Sequence, residues 1–564
     1  MTPSSMKLSA INPYLLLVLW ALPIVLSQTI NQSLMAHDEG YYAIQSRYIL
    51  ETGDWITLQW GGGISFDRTI GIQWLIALCY KFFGVHETSV RLPSMLAYLA
   101  STLLTFRMGE ILLGRGIGWL GAIIFSITPI VVQYAGLGTQ DMVLVMLELL
   151  AAWSLLESRI QGRRSLLFLT GVMFGWGFLI KGFMIIPATI AFLPALWVGG
   201  FINSNTIEVT DKSRLAQFRL TQFEKWSSIK WSSIDWIAML WVGLGGMIGL
   251  LPAIGWLWAA TQQYGWGPLQ TLVGKVFFLN QQEFHSVGPL YYFWNIPVNA
   301  FPWGIIGLIG LALCIWNPRY KTSYRWLLLG YPILLFTELN IFRTKTAYYP
   351  LQLLPWIAIW SAVALSHCSE YYLKDRRSQL LGQLSLGIFG LALILLTAGV
   401  LLFLKVIPVE LDVIRSVATV ITILAIAWLI PLILWLARSG FSQSEFISRW
   451  LWSIFLGPWL ALTFMGLSGL WGDYAVSLNN GVESPTVQAI LSNETINFIA
   501  PPSQDIDPQK DYILFIFKTP HLGQHLTSIE QLPAKSYAWI APKIPTSDRI
   551  FATIRGWRLI QHEG

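Results

Sequence analysis

Charged residues are scarce in this chain of 564 residues. Asp, Glu, Lys and Arg together make up 12% of it, against about 25% in an ordinary soluble domain. Hydrophobic residues make up 54% and fall into long runs with few interruptions. This pattern excludes a soluble globular protein and predicts an integral membrane protein.

Cysteine is also scarce, and the acidic residues are fewer than the lysines and arginines. Cys79, Cys314 and Cys368 are far apart and odd in number, which excludes a disulfide framework and a cysteine metal motif. The net charge of +6 comes mainly from basic residues in short loops between apolar runs. That distribution is typical of membrane topology, so we expect no nucleic-acid partner.

The apolar runs predict a polytopic α-helical membrane protein with about thirteen transmembrane helices. With a cytoplasmic N-terminus, the Lys/Arg-rich loops fall on the inside, as the positive-inside rule requires. The first run is too long for a signal-peptide core and is predicted to be a retained helix. Residues 71–84 are too short to span and are predicted to lie on the membrane surface as an amphipathic helix. The predicted spans lie near 12–32, 90–112, 116–134, 140–157, 165–180, 183–200, 236–260, 301–316, 326–341, 347–366, 380–404, 414–437 and 450–471.

This topology divides the chain into two parts. We predict a transmembrane domain over residues 1–471, with a first outside loop at 33–89, and a small extracytoplasmic α/β domain over 472–564. An odd number of spans places this tail outside. It is predicted to hold a helix capped by Ser484 and strands at 512–518, 536–542 and 551–557.

The stretch "MAHDEGYY" (35–42) places two acids where the first apolar run ends. On a helix, Asp38 shares a face with Tyr42, whereas Glu39 points elsewhere. Asp38 is a candidate general base at the mouth of a cavity. The alternative is an N-terminal cap of a surface helix, where a carboxylate is favourable.

Two further acidic positions lie on the predicted outside. In "GISFDRTIGIQW" (63–74), Asp67 and Arg68 precede the surface helix, and Arg68 is a candidate for binding an anion. The alternative is a solvated Asp-Arg turn. Asp141, in "GLGTQDMVLV" (136–145), opens the fourth span, where an acid is also common simply as a first-turn residue.

Three cations oppose the positive-inside rule. Lys181 lies in an outside turn within "GWGFLIKGF", and Arg343 and Lys345 lie in another within "IFRTKTAYYPLQLLP". A phosphate site would account for them, because Arg and Lys both bind phosphate. The alternatives are snorkelling to the headgroups for Lys181 and lipid headgroup contact for the other two.

Aromatic residues flank these cations. Tyr348 and Tyr349 follow Lys345 where the next span begins, and His285 lies in an aromatic stretch at 280–303. His285 is either a ligand or an interfacial residue. Together the clusters predict a cavity at the outer leaflet in which a carboxylate base faces cations that stabilise a leaving lipid phosphate. This is the chemistry of glycosyl transfer from a polyprenyl-phosphate sugar.

The same motifs resemble those of the bacterial polyprenyl-phosphate-sugar glycosyltransferases of the GT-C superfamily. Within it, the chain is most similar to the 4-amino-4-deoxy-L-arabinose transferase and protein-mannosyltransferase-like group. The resemblance covers roughly residues 30–365. The similar segments are "DEGYYAIQSRYILETGDWITLQWGG", "FDRTIGIQWLIALCYKFFG", "SVRLPSML", "TQDMVLV", "GFLIKG", "HSVGPLYYFWNIPVNAFPW" and "RTKTAYYPLQLLP".

The resemblance implies an inverting transferase at the outer face of the cytoplasmic membrane. Its donor would be a polyprenyl-phosphate-linked sugar, and its acceptor a glycolipid, a protein or a wall polymer. Asp38 would match the family's catalytic aspartate, and Lys181, Arg343 and Lys345 would match basic positions near the lipid phosphate. Two surface helices, around 39–52 and 71–83, are expected in the first loop.

One segment departs from the family pattern. The family commonly has Asp/Glu-Lys-Pro-Pro where this chain has Asp67-Arg68-Thr69-Ile70. Arg68 keeps the charge but not the point geometry of a lysine, so the preference for donor or acceptor is expected to differ.

No cofactor is required by this chemistry. In related enzymes a divalent metal can bind near the active site, and Glu39, Asp67 and His285 are the candidate ligands here.

A transporter or flippase of lipid-linked glycans is the alternative function, and it would favour charges within the spans and broken helices. A non-catalytic membrane scaffold would tolerate replacement of each outside acid and cation.

Overall fold

The chain is described by a computed structural model. It describes residues 12–29, 32–60, 63–197, 235–281, 287–320, 322, 324–375, 378–404, 411–471, 475–500 and 506–563. His285, which the sequence marks as a candidate ligand, lies outside these residues and stays a prediction.

Helices form most of the first 471 residues, and every predicted span contains helical structure. The first nine helices are α1 (Pro13–Ser27), α2 (Tyr41–Thr52), α3 (Gly71–Phe83), α4 (Glu87–Leu113), α5 (Arg115–Ser126), α6 (Pro129–Ala135), α7 (Gln140–Gln161), α8 (Leu167–Lys181) and α9 (Ile185–Trp197). The next nine are α10 (Trp236–Tyr264), α11 (Gly267–Gln281), α12 (Tyr291–Asn299), α13 (Trp303–Trp316), α14 (Tyr331–Ile341), α15 (Leu354–Lys374), α16 (Leu380–Phe403), α17 (Leu411–Leu436) and α18 (Gln443–Leu467).

Within the described ranges, seven helices are long and apolar enough to cross a membrane, or up to nine if each of two bent pairs is one span. The bent pairs are α5 with α6, at 64°, and α12 with α13, at 112°. Pro129 begins α6, and a proline ends the regular hydrogen bonding of the helix before it. The structure thus confirms a polytopic helical protein, and the number thirteen stays a prediction.

Close packing of two helices holds α8 in place. A Cβ built on Gly171 of α8 would lie 2.0 Å from the carbonyl oxygen of Val242 on α10, and one on Gly175 would lie 2.4 Å from the carbonyl carbon of Gly249. Small residues four apart let two helix backbones approach closely within a membrane. This contact fixes α8, whose last residue is Lys181.

The first loop contains a helix at each of the two expected positions, and their location on the membrane surface stays a prediction. α2 follows a π-helical turn at Ala36–Gly40, and α3 matches the predicted amphipathic helix closely. A short antiparallel hairpin, β1 (Gln59–Trp60) and β2 (Gly63–Ile64), lies between them. The other short helical turns are Arg164–Leu166, Gly182–Met184, Pro318–Tyr320, Trp326–Gly330, Tyr349–Leu353, Arg438–Gly440 and Ile529–Gln531.

Residues 476–561, called here the C-terminal α/β unit, form a five-stranded sheet with three helices. In the sheet order β4-β3-β5-β7-β6, strand β3 is parallel to β4 and β5, and the other pairs are antiparallel. The elements are α19 (Val476–Val482), α20 (Pro485–Asn493), β3 (Ile496–Ile499), α21 (Ile506–Lys518), β4 (Leu522–Leu526), β5 (Tyr537–Ile540), β6 (Arg549–Ile554) and β7 (Trp557–Gln561).

Predictions for this unit have mixed outcomes. α20 begins after Ser484 as expected, and 536–542 contains β5. The predicted strand at 512–518 is wrong, because this apolar run is the buried end of α21, and short apolar runs fit a strand or a helix equally well. The predicted strand at 551–557 is two strands joined at Arg555 and Gly556, whose positive φ angles of 51° and 83° suit a tight hairpin.

Candidate active site

Asp38 lies on the π-helical turn Ala36–Gly40, called here the Asp38 turn, which runs directly into α2. Such turns occur frequently at functional sites. The Asp38 side chain is 37% exposed, and its Oδ1 lies 3.5 Å from Nη1 of Arg68. The carboxylate is therefore accessible and next to a cation.

Glu39, its neighbour, is fully buried and has a different role. Its Oε1 accepts hydrogen bonds from Nε of Arg91 at 2.8 Å and from the backbone N–H of Gly138 at 2.9 Å. Its Oε2 accepts from Nη2 of Arg91 at 3.2 Å and from the backbone N–H of Met35 at 3.0 Å. Glu39 thus anchors the Asp38 turn to α4 and to the loop before α7.

Arg68 is held by residues on three sides. Its Nη1 donates a hydrogen bond to the Tyr42 hydroxyl at 2.5 Å, and its guanidinium carbon lies 5.0 Å from the centre of that ring. Its Nε lies 3.5 Å from Oδ2 of Asp67. Together with the contact to Asp38, these partners orient the guanidinium into the site.

Asp67 connects Arg68 to a second cation, Lys275 of α11. Lys275 Nζ donates a hydrogen bond to Oδ2 of Asp67 at 2.5 Å, and Ser65 donates to Oδ1 at 2.7 Å. Burial acts to raise the pKa of Asp67, but Lys275 and Arg68 outweigh it and hold that pKa below its usual value. Burial lowers the pKa of Lys275, against the opposing field of Asp67. One carboxylate thus serves two cations.

A second cluster joins the ends of two helices. Asp141, in the first turn of α7, forms an ion pair with Lys181, the last residue of α8, and both side chains are largely buried. Lys181 Nζ lies 5.1 Å from the ring centre of Tyr348 and 5.5 Å from that of Tyr349. Lys181 therefore turns inward rather than snorkelling to headgroups.

The two clusters are neighbours. A Cβ built on Gly182, the residue after Lys181, would lie 3.6 Å from Cγ2 of Thr69, the residue after Arg68. The backbone segments that carry Arg68 and Lys181 therefore adjoin, and a single polar site that joins Asp38, Arg68, Lys181 and the tyrosine pair stays a prediction.

Arg343 and Lys345 lie in the turn after α14. Lys345 is buried, and its Nζ donates a hydrogen bond to the carbonyl oxygen of Phe342 at 2.7 Å, within the same turn. Arg343 is exposed. The structure gives Lys345 a partner inside its own turn, so a phosphate contact by either cation stays a prediction.

The metal hypothesis stays a prediction as well. Among the residues that the structure describes, no group of three or more His, Cys, Asp or Glu side chains lies close enough to hold a metal. Both carboxylate oxygens of Glu39 already accept hydrogen bonds from Arg91 and backbone N–H groups, so Glu39 does not fit as a ligand.

Two important residues escaped the sequence reasoning. Lys275 lies in the predicted outside segment 261–300 and could have been found by the same signal as Lys181, a cation against the positive-inside rule. Arg91 lies in the motif "SVRLPSML" and is only 1% exposed, but nothing in a single sequence marks its partner Glu39.

Comparison with known proteins finds sequence similarity over part of the chain. The family model for dolichyl-phosphate-mannose-protein mannosyltransferases matches residues 67–207. The undecaprenyl phosphate-alpha-4-amino-4-deoxy-L-arabinose arabinosyl transferase of Pseudomonas aeruginosa (strain LESB58) is 32% identical over 174 residues, which are 30% of this chain and 32% of that protein. The putative mannosyltransferase YycA of Bacillus subtilis (strain 168) is 30% identical over 134 residues, which are 23% of this chain and 20% of that protein. The matched stretch thus spans less than a third of each relative.

Similarity of fold extends much further than similarity of sequence. The structure of ArnT from Cupriavidus metallidurans bound to undecaprenyl phosphate superposes with a TM-score of 0.70 at 17% identity, over 97% of each chain. Its apo form gives a TM-score of 0.66 over the same shares. The sequence similarity confirms the predicted resemblance to polyprenyl-phosphate-sugar glycosyltransferases over part of the chain, and the shared fold includes nearly the whole chain.

Proposed function

We propose that the protein is an inverting glycosyltransferase that moves a sugar from a polyprenyl-phosphate-linked donor to an acceptor hydroxyl. The observation that carries the proposal is the contact of the accessible Asp38 carboxylate with Arg68, a cation oriented by Tyr42 and Asp67. A base next to an oriented cation suits a reaction in which one group loses a proton while another leaves as an anion.

The reaction follows from these positions. Asp38 takes the proton of the acceptor hydroxyl, and the acceptor oxygen attacks the anomeric carbon of the sugar. The bond between that carbon and the phosphate oxygen breaks, and its electron pair stays on the polyprenyl phosphate. Attack from the face opposite the leaving phosphate inverts the configuration of the anomeric carbon.

Arg68 and Lys275 stabilise the leaving phosphate. Both cations share Asp67, so they lie close together, and oriented cations are most effective where charge develops in the transition state. The guanidinium of Arg68 offers a planar pair of donors where the family commonly has a lysine. The hydrogen bond to the Tyr42 hydroxyl fixes the orientation of the guanidinium, so its other N–H donors are already directed before the phosphate binds.

The Lys181 cluster forms another wall of the site. Two tyrosine rings and an ion pair at the ends of α7 and α8 provide a surface with both apolar and polar groups. Tyrosine rings suit the apolar faces of a sugar and the first part of a lipid chain, and a tyrosine hydroxyl group can also form a hydrogen bond.

The proposed setting is the outer face of the cytoplasmic membrane. The N-terminus is cytoplasmic and the C-terminal α/β unit extracytoplasmic, as supported by the Lys/Arg-rich loops on the opposite side. The acceptor is a glycolipid, a protein or a wall polymer. The undecaprenyl phosphate named for the ArnT structure supports a polyprenyl carrier for the donor.

A lipid-linked glycan transporter is the alternative, and the position of the charges argues against it. Asp141 lies in the first turn of α7, Lys181 is the last residue of α8, and Asp38 lies before α2. A transporter would place its binding charges near the middle of the membrane on interrupted helices.

The test uses the purified full-length protein in detergent with radiolabelled polyprenyl-phosphate sugars and a panel of glycolipid, peptide and wall-polymer acceptors. We expect label to move to an acceptor and free polyprenyl phosphate to appear in equal amount. The same protein in liposomes should not move the labelled donor across the bilayer. Transport without transfer would establish the alternative.

A further inference from the structure

The C-terminal α/β unit packs directly on the Asp38 turn. Gly40 is the last residue of this turn, and a Cβ built on it would lie 2.7 Å from Cγ2 of Ile513, a fully buried residue of α21. Even one added methyl group would force one of the two elements to shift. The residue two positions after Asp38 is therefore in tight contact with the C-terminal unit.

Arg47 makes a second connection, two helical turns further along α2. Its side chain is 4% exposed. Its Nη1 donates hydrogen bonds to the carbonyl oxygens of Ile516, at 3.2 Å, and Thr519, at 2.7 Å, and its Nη2 donates to that of Pro520 at 2.5 Å. These carbonyl groups lie at the C-terminal end of α21, where helix carbonyls have no helical partner and a cation is favourable.

The next residue adds a third connection. The Tyr48 hydroxyl lies 2.8 Å from Nε2 of His525 on β4, and the hydroxyl of Tyr512 on α21 lies 2.5 Å from the other ring nitrogen. Gly40, Arg47 and Tyr48 thus bind α2 and the end of the Asp38 turn to one unit.

On its other side the Asp38 turn is bound to the helical part of the protein. Glu39 and Arg91 form a buried ion pair, with Glu39 also accepting from Gly138. Asp38 therefore directly precedes two anchored residues, Glu39 bound toward the transmembrane helices and Gly40 packed against α21. A displacement of α21 would act on Asp38 through Gly40.

We propose that the C-terminal α/β unit is a positioning element of the active site. It sets the position of Asp38 relative to Arg68 through the Gly40–Ile513 contact and the hydrogen bonds from Arg47 to the end of α21. The catalytic part of this inference rests on the proposed function. Gly40, Arg47 and Ile513 are positioning residues, because they act through the backbone of the turn. Misplacement of a catalytic group by about 1 Å can lower a rate about a hundredfold.

The test is a pair of substitutions across the contact, in the full-length protein. Gly40→Ala adds the clashing methyl group, and Ile513→Ala removes the atom that it meets. Gly116→Ala is the matched control, because a Cβ there meets no atom within 4 Å. Each variant and the double variant are measured by amide hydrogen exchange of the segment 35–47 and by kcat and KM for transfer.

We expect Gly40→Ala to speed exchange in the segment 35–47 and to lower kcat about tenfold, with KM for the donor changed less than about twofold. In the Ile513→Ala background, Gly40→Ala should lower kcat less than about threefold relative to Ile513→Ala alone. The two effects are not additive because the two residues are in direct contact. Gly116→Ala should match the wild type.

Two results would overturn the inference: no effect of Gly40→Ala, or equal effects of Gly40→Ala in both backgrounds. General unfolding is distinguished by the rescue, which a merely destabilised protein would not show. If the wild type transferred no sugar, the proposed function would fail, and the exchange measurements alone would still decide whether the C-terminal unit holds the Asp38 turn.

Discussion

Nη1 of Arg68 lies 3.5 Å from Oδ1 of Asp38, so the proposed base and the proposed phosphate ligand are neighbours. The same nitrogen donates to the Tyr42 hydroxyl. A donor phosphate bound by Arg68 would thus hold its sugar within reach of Asp38.

Replacement of Arg68 should reduce the chemical step. We expect Arg68→Gln to lower kcat/KM for the donor by about a hundredfold or more, because a cation opposite a developing charge is lost. Arg68→Lys keeps the charge but loses the planar fork, so its loss should be about tenfold. The measurement is initial transfer rate against donor concentration. Arg115→Gln, an exposed cation on α5, is the control, and a loss no greater than that of the control would contradict the assignment.

Replacement of Lys275 should weaken binding of the lipid phosphate. We expect Lys275→Gln to raise the Kd for polyprenyl phosphate about tenfold, which equals about 1.4 kcal/mol, a typical contribution of one charge-assisted hydrogen bond. The change is measured by titration of the purified protein with polyprenyl phosphate. Lys81→Gln, at an exposed lysine of α3, should bind like the wild type. Unchanged affinity in Lys275→Gln would remove it from the phosphate site.

The adjacent acids Asp38 and Glu39 should respond in opposite ways. Glu39→Gln removes the carboxylate charge that pairs with the buried guanidinium of Arg91, which costs about 3–5 kcal/mol of folding free energy. Asp38→Asn changes an accessible group and should leave the unfolding temperature within about 2 °C of the wild type, as expected of a surface substitution. Thermal unfolding in one detergent compares the two. Equal stability of both variants would contradict the anchoring role of Glu39.

The contact between α2 and the C-terminal α/β unit at His525 should weaken in acid. Burial lowers the pKa of His525 from 6.5 to about 4, so the folded protein keeps this ring neutral where the unfolded chain protonates it. Its contribution to stability is therefore complete above pH 6.5 and is lost progressively as the pH falls towards about 4. Tyr48 and Tyr512 would both face a charged ring at the end of that range.

This dependence is measured as amide hydrogen exchange of the segments 41–52 and 506–526 between pH 7 and 4, after correction for intrinsic rates. His525→Gln should be less sensitive to pH than the wild type over this range, whereas His521→Gln, an exposed neighbour, should behave like the wild type. Equal pH sensitivity in all three proteins would show that His525 does not control the contact between α2 and the C-terminal α/β unit.

The sequence predicts the members of the site better than their pairing. Asp141 and Lys181 stand out because an acid begins one span and a cation ends another against the positive-inside rule. Their ion pair joins residues 40 apart, and Asp67 and Lys275 are 208 apart. No spacing rule predicts such pairs, because they depend on which helix ends meet in three dimensions.

The same limit explains the other differences. The run at 512–518 has the apolar composition of a strand, yet it forms the end of α21, whose side chains pack against the Asp38 turn and the sheet. Glu39 looks like a companion of Asp38 in sequence, but the turn directs it into a buried pair with Arg91. In both cases tertiary contacts decide between readings that local pattern leaves equal.

The transfer rate of Asp38→Asn tests most directly whether Asp38 is the general base. Single-turnover transfer from a radiolabelled polyprenyl-phosphate sugar is compared for the wild type, Asp38→Asn and Glu494→Gln, an exposed acid of the C-terminal α/β unit. We predict that Asp38→Asn binds polyprenyl phosphate like the wild type but transfers at least about a hundredfold more slowly, as expected for loss of a general base. Glu494→Gln should transfer at the wild-type rate. A wild-type rate in Asp38→Asn would show that Asp38 is not the general base.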